Sequence, residues 1–191
     1  DVIQEVHTIN ISNSVKRDFL AEDCQFGYRD SIFKKELKNQ LIITSVVFKL
    51  QKNPDINISY GAIQSVLDDK GVSNPTIKDI SDTIITIRQS KLPDPKKVGN
   101  AGSFFKNPVI STSLYKKLQT KHSSIPGYPI DGEQIKVPAG WLIEQAGWKG
   151  KTIGPIGVHK NQALVLVNYG NGNGNEIKKL AYVIKADIFQ K

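Results

Sequence analysis

Lys91 to Pro108 reads KLPDPKKVGNAGSFFKNP. Pro93, Pro95, Gly99, Gly102 and Pro108 recur too closely for a helix or a central strand to run through it, so this segment divides the chain and a domain boundary falls at its start. Upstream, Val2 to Ser12 (VIQEVHTINIS) alternates apolar and polar residues as a half-buried strand does, and Leu41 to Leu50 (LIITSVVFKL) is rich in β-branched residues. Phe19 to Cys24 has short helical or turn character. Ile77, Ile80, Ile84 and Ile87 recur at helical spacing after the start signal Asn74-Pro75-Thr76, which predicts an amphipathic helix over Ile77 to Arg88. Downstream, Ser113 to Thr120 and Ala139 to Gly147 read as helices, the latter with Trp141, Leu142 and Gln145 on one face. Ser123 to Gly132 is a turn-rich hook holding Pro126, Gly127, Tyr128 and Pro129. Ala163 to Asn168 reads as a buried strand, and Ile177, Leu180, Ala181, Ile184 and Ile188 mark a last helix. Each half mixes strands with helices, so the chain is read as α+β in two parts, 1–90 and 91–191.

Composition narrows the class further. With 39% hydrophobic and 23% charged residues in 191, the chain can build real cores and is not a disordered segment. Its apolar runs are too short to cross a bilayer. A single cysteine, Cys24, and three scattered histidines cannot make an internal disulfide or a zinc site of ordinary spacing, which points to a reducing cytoplasm. The absence of methionine and a first residue Asp1 read as an internal fragment, and Asp1 to Asn10 has no signal-peptide pattern. A formal net charge of +8 favours anionic partners, although the lysines are dispersed as pairs such as Lys34-Lys35, Lys96-Lys97, Lys116-Lys117 and Lys178-Lys179 on solvated faces.

The proline- and glycine-rich segment is also the first place to look for chemistry, because Phe104 and Phe105 sit beside Ser103, Lys106 and Asn107. Taken alone, Ser103 is a turn hydroxyl. No Gly-x-Ser-x-Gly elbow is present, and Gly170 to Asn175 lacks the Lys-Ser/Thr of a phosphate-binding loop, so it reads as a plain connector. Cys24 follows Glu22 and Asp23, which disfavour a thiolate, and reads as a packed residue. His159 precedes a buried strand and reads as a backbone-bonded histidine. His7 and His122 show no sequence partner.

Several segments together resemble the UDP-N-acetylenolpyruvoylglucosamine reductase family. They are Gly27-Tyr28-Arg29-Asp30-Ser31-Ile32-Phe33, Ser59-Tyr60-Gly61, Lys91-Leu92-Pro93-Asp94-Pro95, Gly99 to Pro108, Ala139-Gly140-Trp141-Leu142-Ile143 and Val158 to Val165. The resemblance implies a flavoenzyme of peptidoglycan precursor synthesis, in which NADPH reduces FAD and the enolpyruvyl group of UDP-N-acetylglucosamine enolpyruvate is reduced to UDP-N-acetylmuramate. It implies Ser103 as proton donor and Arg29 as the group that stabilises the substrate carboxylate. It further implies Tyr60, Lys91, Asn107 and Gln162 as contacts to the UDP-sugar, and Tyr128 as a loop tyrosine over the nucleotide. By the same resemblance, 1–90 is the end of a flavin-binding domain and 91–191 a small substrate-binding domain truncated at its end. The family's glycine-rich pyrophosphate loop belongs upstream of Asp1, and a segment with a catalytic glutamate belongs after Lys191. The chain is therefore expected to be a cytoplasmic, monomeric fragment, inactive alone, that retains no FAD and binds neither membrane nor nucleic acid. The alternative is a non-catalytic basic module for nucleic acid, resting on a pI near 9.4 and on Tyr115 and Tyr169 as exposed aromatics. Gly99 to Pro108 is left without a role by that alternative.

Overall fold

The structure, a computed structural model, describes residues 2–59 and 62–191. It divides into two compact units, Asp1–Asn57 and Ile58–Lys191. The division lies upstream of the boundary expected at Lys91, so the helices between them cluster with the second unit. Tyr60 falls outside the described residues.

In the first unit, β1 (Ile3–Asn10) lies between β2 (Lys16–Leu20) and β3 (Leu41–Phe48), antiparallel to both. Alternation along β1 turns Val6 and Thr8 inward, where Val6 stands opposite Phe19 and Val46. Val6, Phe19 and Cys24 are the buried centre, and Phe33 meets Phe19 edge-on at 5.3 Å between ring centroids. Cys24 sits in a short 3-10 turn, Ala21–Cys24, with its thiol pushed up by burial and by Asp23, as a packed cysteine should be. Phe19, expected in a helical turn, instead pairs within β2, because its ring fills the space opposite Val6.

The second unit opens with α1 (Ile63–Asp69), where Ile63, Val66 and Leu67 stand at helical spacing, and α2 (Ile77–Lys91), against which α1 packs. A reciprocal capping box starts α2. The Asp79 amide donates to Thr76 Oγ1 at 3.2 Å and the Thr76 amide to Asp79 Oδ2 at 2.9 Å. The buried position of α2 is Thr83, while Ile77 and Ile84 are exposed. The isoleucine period therefore marks the helix but only half of its inward side, since Ile80 and Ile87 are half-buried beside Thr83.

A second sheet has the order β4 (Gly99–Ser103), β10 (Val165–Asn168), β9 (Ile156–Val158) and β8 (Thr152–Ile153), antiparallel throughout. Part of the segment read as irregular is thus an edge strand, a place that tolerates its glycines. The last helix, α5 (Gly174–Gln190), begins at a capping box formed by Asn173 and Glu176. It presses Leu180 and Ile184 into a core of Ile143, Trp148, Ile156, Val158, Ala163 and Leu166, with Ile177, Ala181 and Ile188 packed at its margin. All five positions of the expected apolar stripe are used. Trp148 Nε1 donates to Asp187 Oδ2 at 2.7 Å, so the indole is buried with its polar atom satisfied.

The remaining sheet has the order β5 (Val109–Ser111), β7 (Gln134–Lys136) and β6 (Tyr128–Pro129). It is flanked by α3 (Thr112–Lys121) and α4 (Ala139–Gln145) around Ile125, Ile135 and Val137. In α4 the buried residues are Ala139 and Ile143, and Gln145 of the expected face is exposed. Tyr115, expected as an exposed aromatic, packs against this cluster.

Candidate active site

The residues nominated in the sequence come together selectively. A cleft of about 510 Å³ in the second unit is lined by Lys91, Ser103 and Gln162, with Arg88, Asn100, Gly102 and a wall of Ile87, Leu92, Pro93 and Pro95. Its size suits a small-molecule site.

Each of the three arrives by a local device. Lys91 is the last residue of α2. Leu92 is forced extended ahead of Pro93, which ends the helix and leaves Lys91 at the rim. A tight turn follows, with the Lys97 and Val98 amides donating to the Asp94 carbonyl at 3.0 and 2.9 Å, and it returns the chain into β4. At the end of β4 the register slips. Val165 pairs with Ser103 but Val167 with Asn100, so β4 holds one extra residue. Gly102 accommodates it at φ +62°, a conformation closed to most side chains, and the Gly102 amide donates to Asn100 Oδ1 at 3.0 Å. Such a bulge re-aims the side chain next to it, and here that side chain is Ser103.

Gln162 lies in the turn before β10. The His159 amide donates to the Val165 carbonyl, the Val165 amide to the Gln162 carbonyl, and the Phe104 amide to the Leu164 carbonyl at 2.9 Å. The last bond ties the residue after Ser103 to the Gln162 turn, which is why segments about 60 residues apart in sequence share one cleft.

Arg88 was missed by sequence reasoning. It precedes Lys91 by one helical turn, and an i,i+3 pair of cations at a helix end was the available signal. The lining holds two cations and no carboxylate. Such a field favours an anionic ligand.

Other nominated residues are not among those that line this cleft. Asn107 Oδ1 accepts the Ala139 amide at 2.9 Å, so it satisfies the first turn of α4. Tyr128 is exposed on β6. Arg29 belongs to the first unit, where Gly27 and Asp30 exchange both backbone hydrogen bonds around Tyr28-Arg29. Arg29 has φ +52° there, a strained position that glycine or asparagine usually takes. No group of three or more histidine, cysteine, aspartate or glutamate residues capable of holding a metal occurs among the described residues.

His159 is buried, and its Nδ1 has no hydrogen-bond partner among the described residues. Its backbone bonds as expected, but burial, with Lys160 adding to it, pushes the imidazole below its ordinary value. The folded chain therefore binds this proton less readily than the unfolded chain does. This contribution to stability is complete above the unfolded-state pKa of about 6.5 and is lost as pH falls below it. Urea midpoints measured between pH 7.5 and 5.5 are expected to fall, and to fall less steeply in His159→Gln. An unchanged slope in the variant contradicts the assignment.

A family model described as UDP-N-acetylenolpyruvoylglucosamine reductase, C-terminal domain, matches residues 94–191. A protein named UDP-N-acetylenolpyruvoylglucosamine reductase in Flavobacterium johnsoniae is 51% identical over all 191 residues, which cover 57% of that relative. Those of Pseudomonas syringae pv. syringae and Porphyromonas gingivalis are 46% and 45% identical, with 56% of each covered. The chain therefore spans little more than half the length of these relatives. The crystal structure of the reductase of that family from Thermus caldophilus superposes with a TM-score of 0.55 at 19% identity, covering 97% of this chain and 49% of that one, which speaks to the fold. The nucleic-acid alternative finds no support in these comparisons, and Tyr115, one of its two aromatics, is packed. By its family match over 94–191 and its whole-length similarity to these relatives, the chain belongs to the UDP-N-acetylenolpyruvoylglucosamine reductase family.

Proposed function

We propose that this chain supplies the substrate-handling part of an enzyme that reduces the enolpyruvyl group of UDP-N-acetylglucosamine enolpyruvate, giving the peptidoglycan precursor UDP-N-acetylmuramate. The observation that carries the reading is the single cleft shared by Lys91, Ser103 and Gln162. Addition of hydride to an enol ether conjugated to a carboxylate leaves an enolate, and the neighbouring carbon must then take a proton. In this reading Ser103 gives that proton. Its alkoxide is offset by the cations of the cleft, Arg88 and Lys91, while Gln162 holds the sugar. The guanidinium of Arg29 pairs with the enolate carboxylate. Tyr60, Lys91, Asn107 and Tyr128 complete the UDP-sugar contacts, and 1–90 is the end of the flavin-binding domain that precedes a substrate-binding domain over 91–191.

The family implies FAD and NADPH as carriers of reducing equivalents. A dinucleotide pyrophosphate is ordinarily seated on unspent backbone amides of a glycine-rich turn. In the glycine-rich turn here, the Gly170 and Gly172 amides both donate to Asn168 Oδ1 at 3.1 Å, and the Asn175 and Glu176 amides donate to Asn173 Oδ1. That turn does not fit the pyrophosphate of FAD, in keeping with its reading as a connector.

Titration of the purified chain with UDP-N-acetylglucosamine enolpyruvate at physiological salt tests the ligand class. Saturable binding is expected, weakened by at least tenfold in Lys91→Ala. Absence of UDP-sugar binding alongside steeply salt-dependent binding of single-stranded DNA overturns the reading.

A further inference from the structure

We propose that Tyr115 is a positioning residue for Tyr128, holding the hook that carries it; the inference deepens the proposed function and rests on Tyr128 contacting the nucleotide. Tyr128 lies on a strand of only two residues at the edge of its sheet, paired with Lys136 and Ile135 of β7 through Tyr128 and Pro129. So short an edge pairing orders a segment weakly. The hook needs another anchor, and α3 provides one.

The Tyr115 hydroxyl donates to the Ile125 carbonyl at 2.8 Å, and Gln119 Nε2 donates in turn to that hydroxyl at 3.3 Å. The ring continues under the hook. A Cβ on Gly127 would stand 2.5 Å from Tyr115 Cζ and 2.7 Å from Ile135 Cγ2, so the backbone immediately before Tyr128 lies directly on the phenol ring. Ile125 itself is buried with Ile135 and Val137. The hook is thus clamped on both sides of Pro126, at Ile125 by a hydrogen bond and at Gly127 by contact that admits no side chain. Beyond the clamp Tyr128 remains exposed, with its ring open to a ligand.

A hook held in one place presents Tyr128 without the ordering cost that a mobile loop incurs at binding. Removal of the clamp therefore lowers the fraction of molecules that present Tyr128 correctly and weakens binding by that fraction. Chemistry at Ser103 is unaffected.

The test uses Tyr115→Phe, Tyr128→Ala and the double variant of the full-length protein, assayed for reduction of UDP-N-acetylglucosamine enolpyruvate. Tyr115→Phe keeps the ring in the core and loses the hydroxyl. It is expected to raise KM for the UDP-sugar roughly two- to tenfold, the range set by one hydrogen bond, with kcat within about twofold. In Tyr128→Ala the same Tyr115 change is expected to have almost no further effect on KM. Amide exchange at Ile130, whose N–H donates to the Gln134 carbonyl at 3.0 Å within the hook, is expected to accelerate in Tyr115→Phe, while Trp148 in the other core is unchanged. Unchanged exchange at Ile130, or additive KM effects, overturns the clamp. A KM indifferent to Tyr128→Ala overturns the nucleotide contact on which the inference rests, even if Ile130 exchange shows that the clamp exists.

Discussion

Ser103→Ala in the full-length protein is expected to reduce turnover of the enolpyruvyl substrate by roughly 10²- to 10⁴-fold, the usual cost of losing a general acid. NADPH oxidation driven by an artificial electron acceptor should stay near wild type, because that reaction draws no proton from the serine. Substrate affinity should change little, since the hydroxyl acts on charge that develops only in the transition state. The structural reason to choose this serine over the others is its position at the Gly102 bulge, in a cleft whose charged lining residues are both cations. A variant that turns over at a near-normal rate would make Ser103 a turn residue and move the acid elsewhere.

The largest stability effect is expected from Ile184→Ala. Ile184 is fully buried against Ile143, Trp148, Ile156 and Leu166, the cluster that joins α5 to the sheet bearing Ser103. Truncation removes apolar burial and leaves a cavity, together worth about 2 to 5 kcal/mol. Phe189, on the same helix, is 92% exposed, and Phe189→Ala should cost no more than about 0.5 kcal/mol. Urea unfolding of the two variants beside the wild type decides the matter. Equal losses would mean that α5 does not pack in the described register.

The contrast between these two residues shows what local sequence conveys well. Along α5 every position from Ile177 to Ile188 that helical spacing marked as apolar lies in or against the core, and Asn173 with Glu176 starts the helix through bonds made within one turn. Along α2 the local signals for helix and start were as clear, yet Ile77 and Ile84 face solvent and Thr83 is buried. A start signal or a period is a property of residues within a few positions of one another. Which side of a helix loses water depends on what lies beside it.

The candidate site follows the same division. The amino-acid sequence determined the residue types: a serine after Asn-Ala-Gly, a lysine just ahead of Leu92-Pro93 and a glutamine ahead of a buried strand, all carried by motifs that resemble one family. It also determined that Gly170 to Asn175 lacks the Lys-Ser/Thr of a phosphate-binding loop. Only the tertiary structure decided that Lys91, Ser103 and Gln162 line one cleft, that Arg88 joins them, that Asn107 spends its oxygen on α4 and that Tyr115 lies beneath the Tyr128 hook. Those placements rest on a one-residue slip between β4 and β10, the Phe104 to Leu164 hydrogen bond and the close approach of Gly127 to a ring on α3. Each joins residues distant in the chain, and the free energy that selects such a contact exists only once both partners have been brought out of water together.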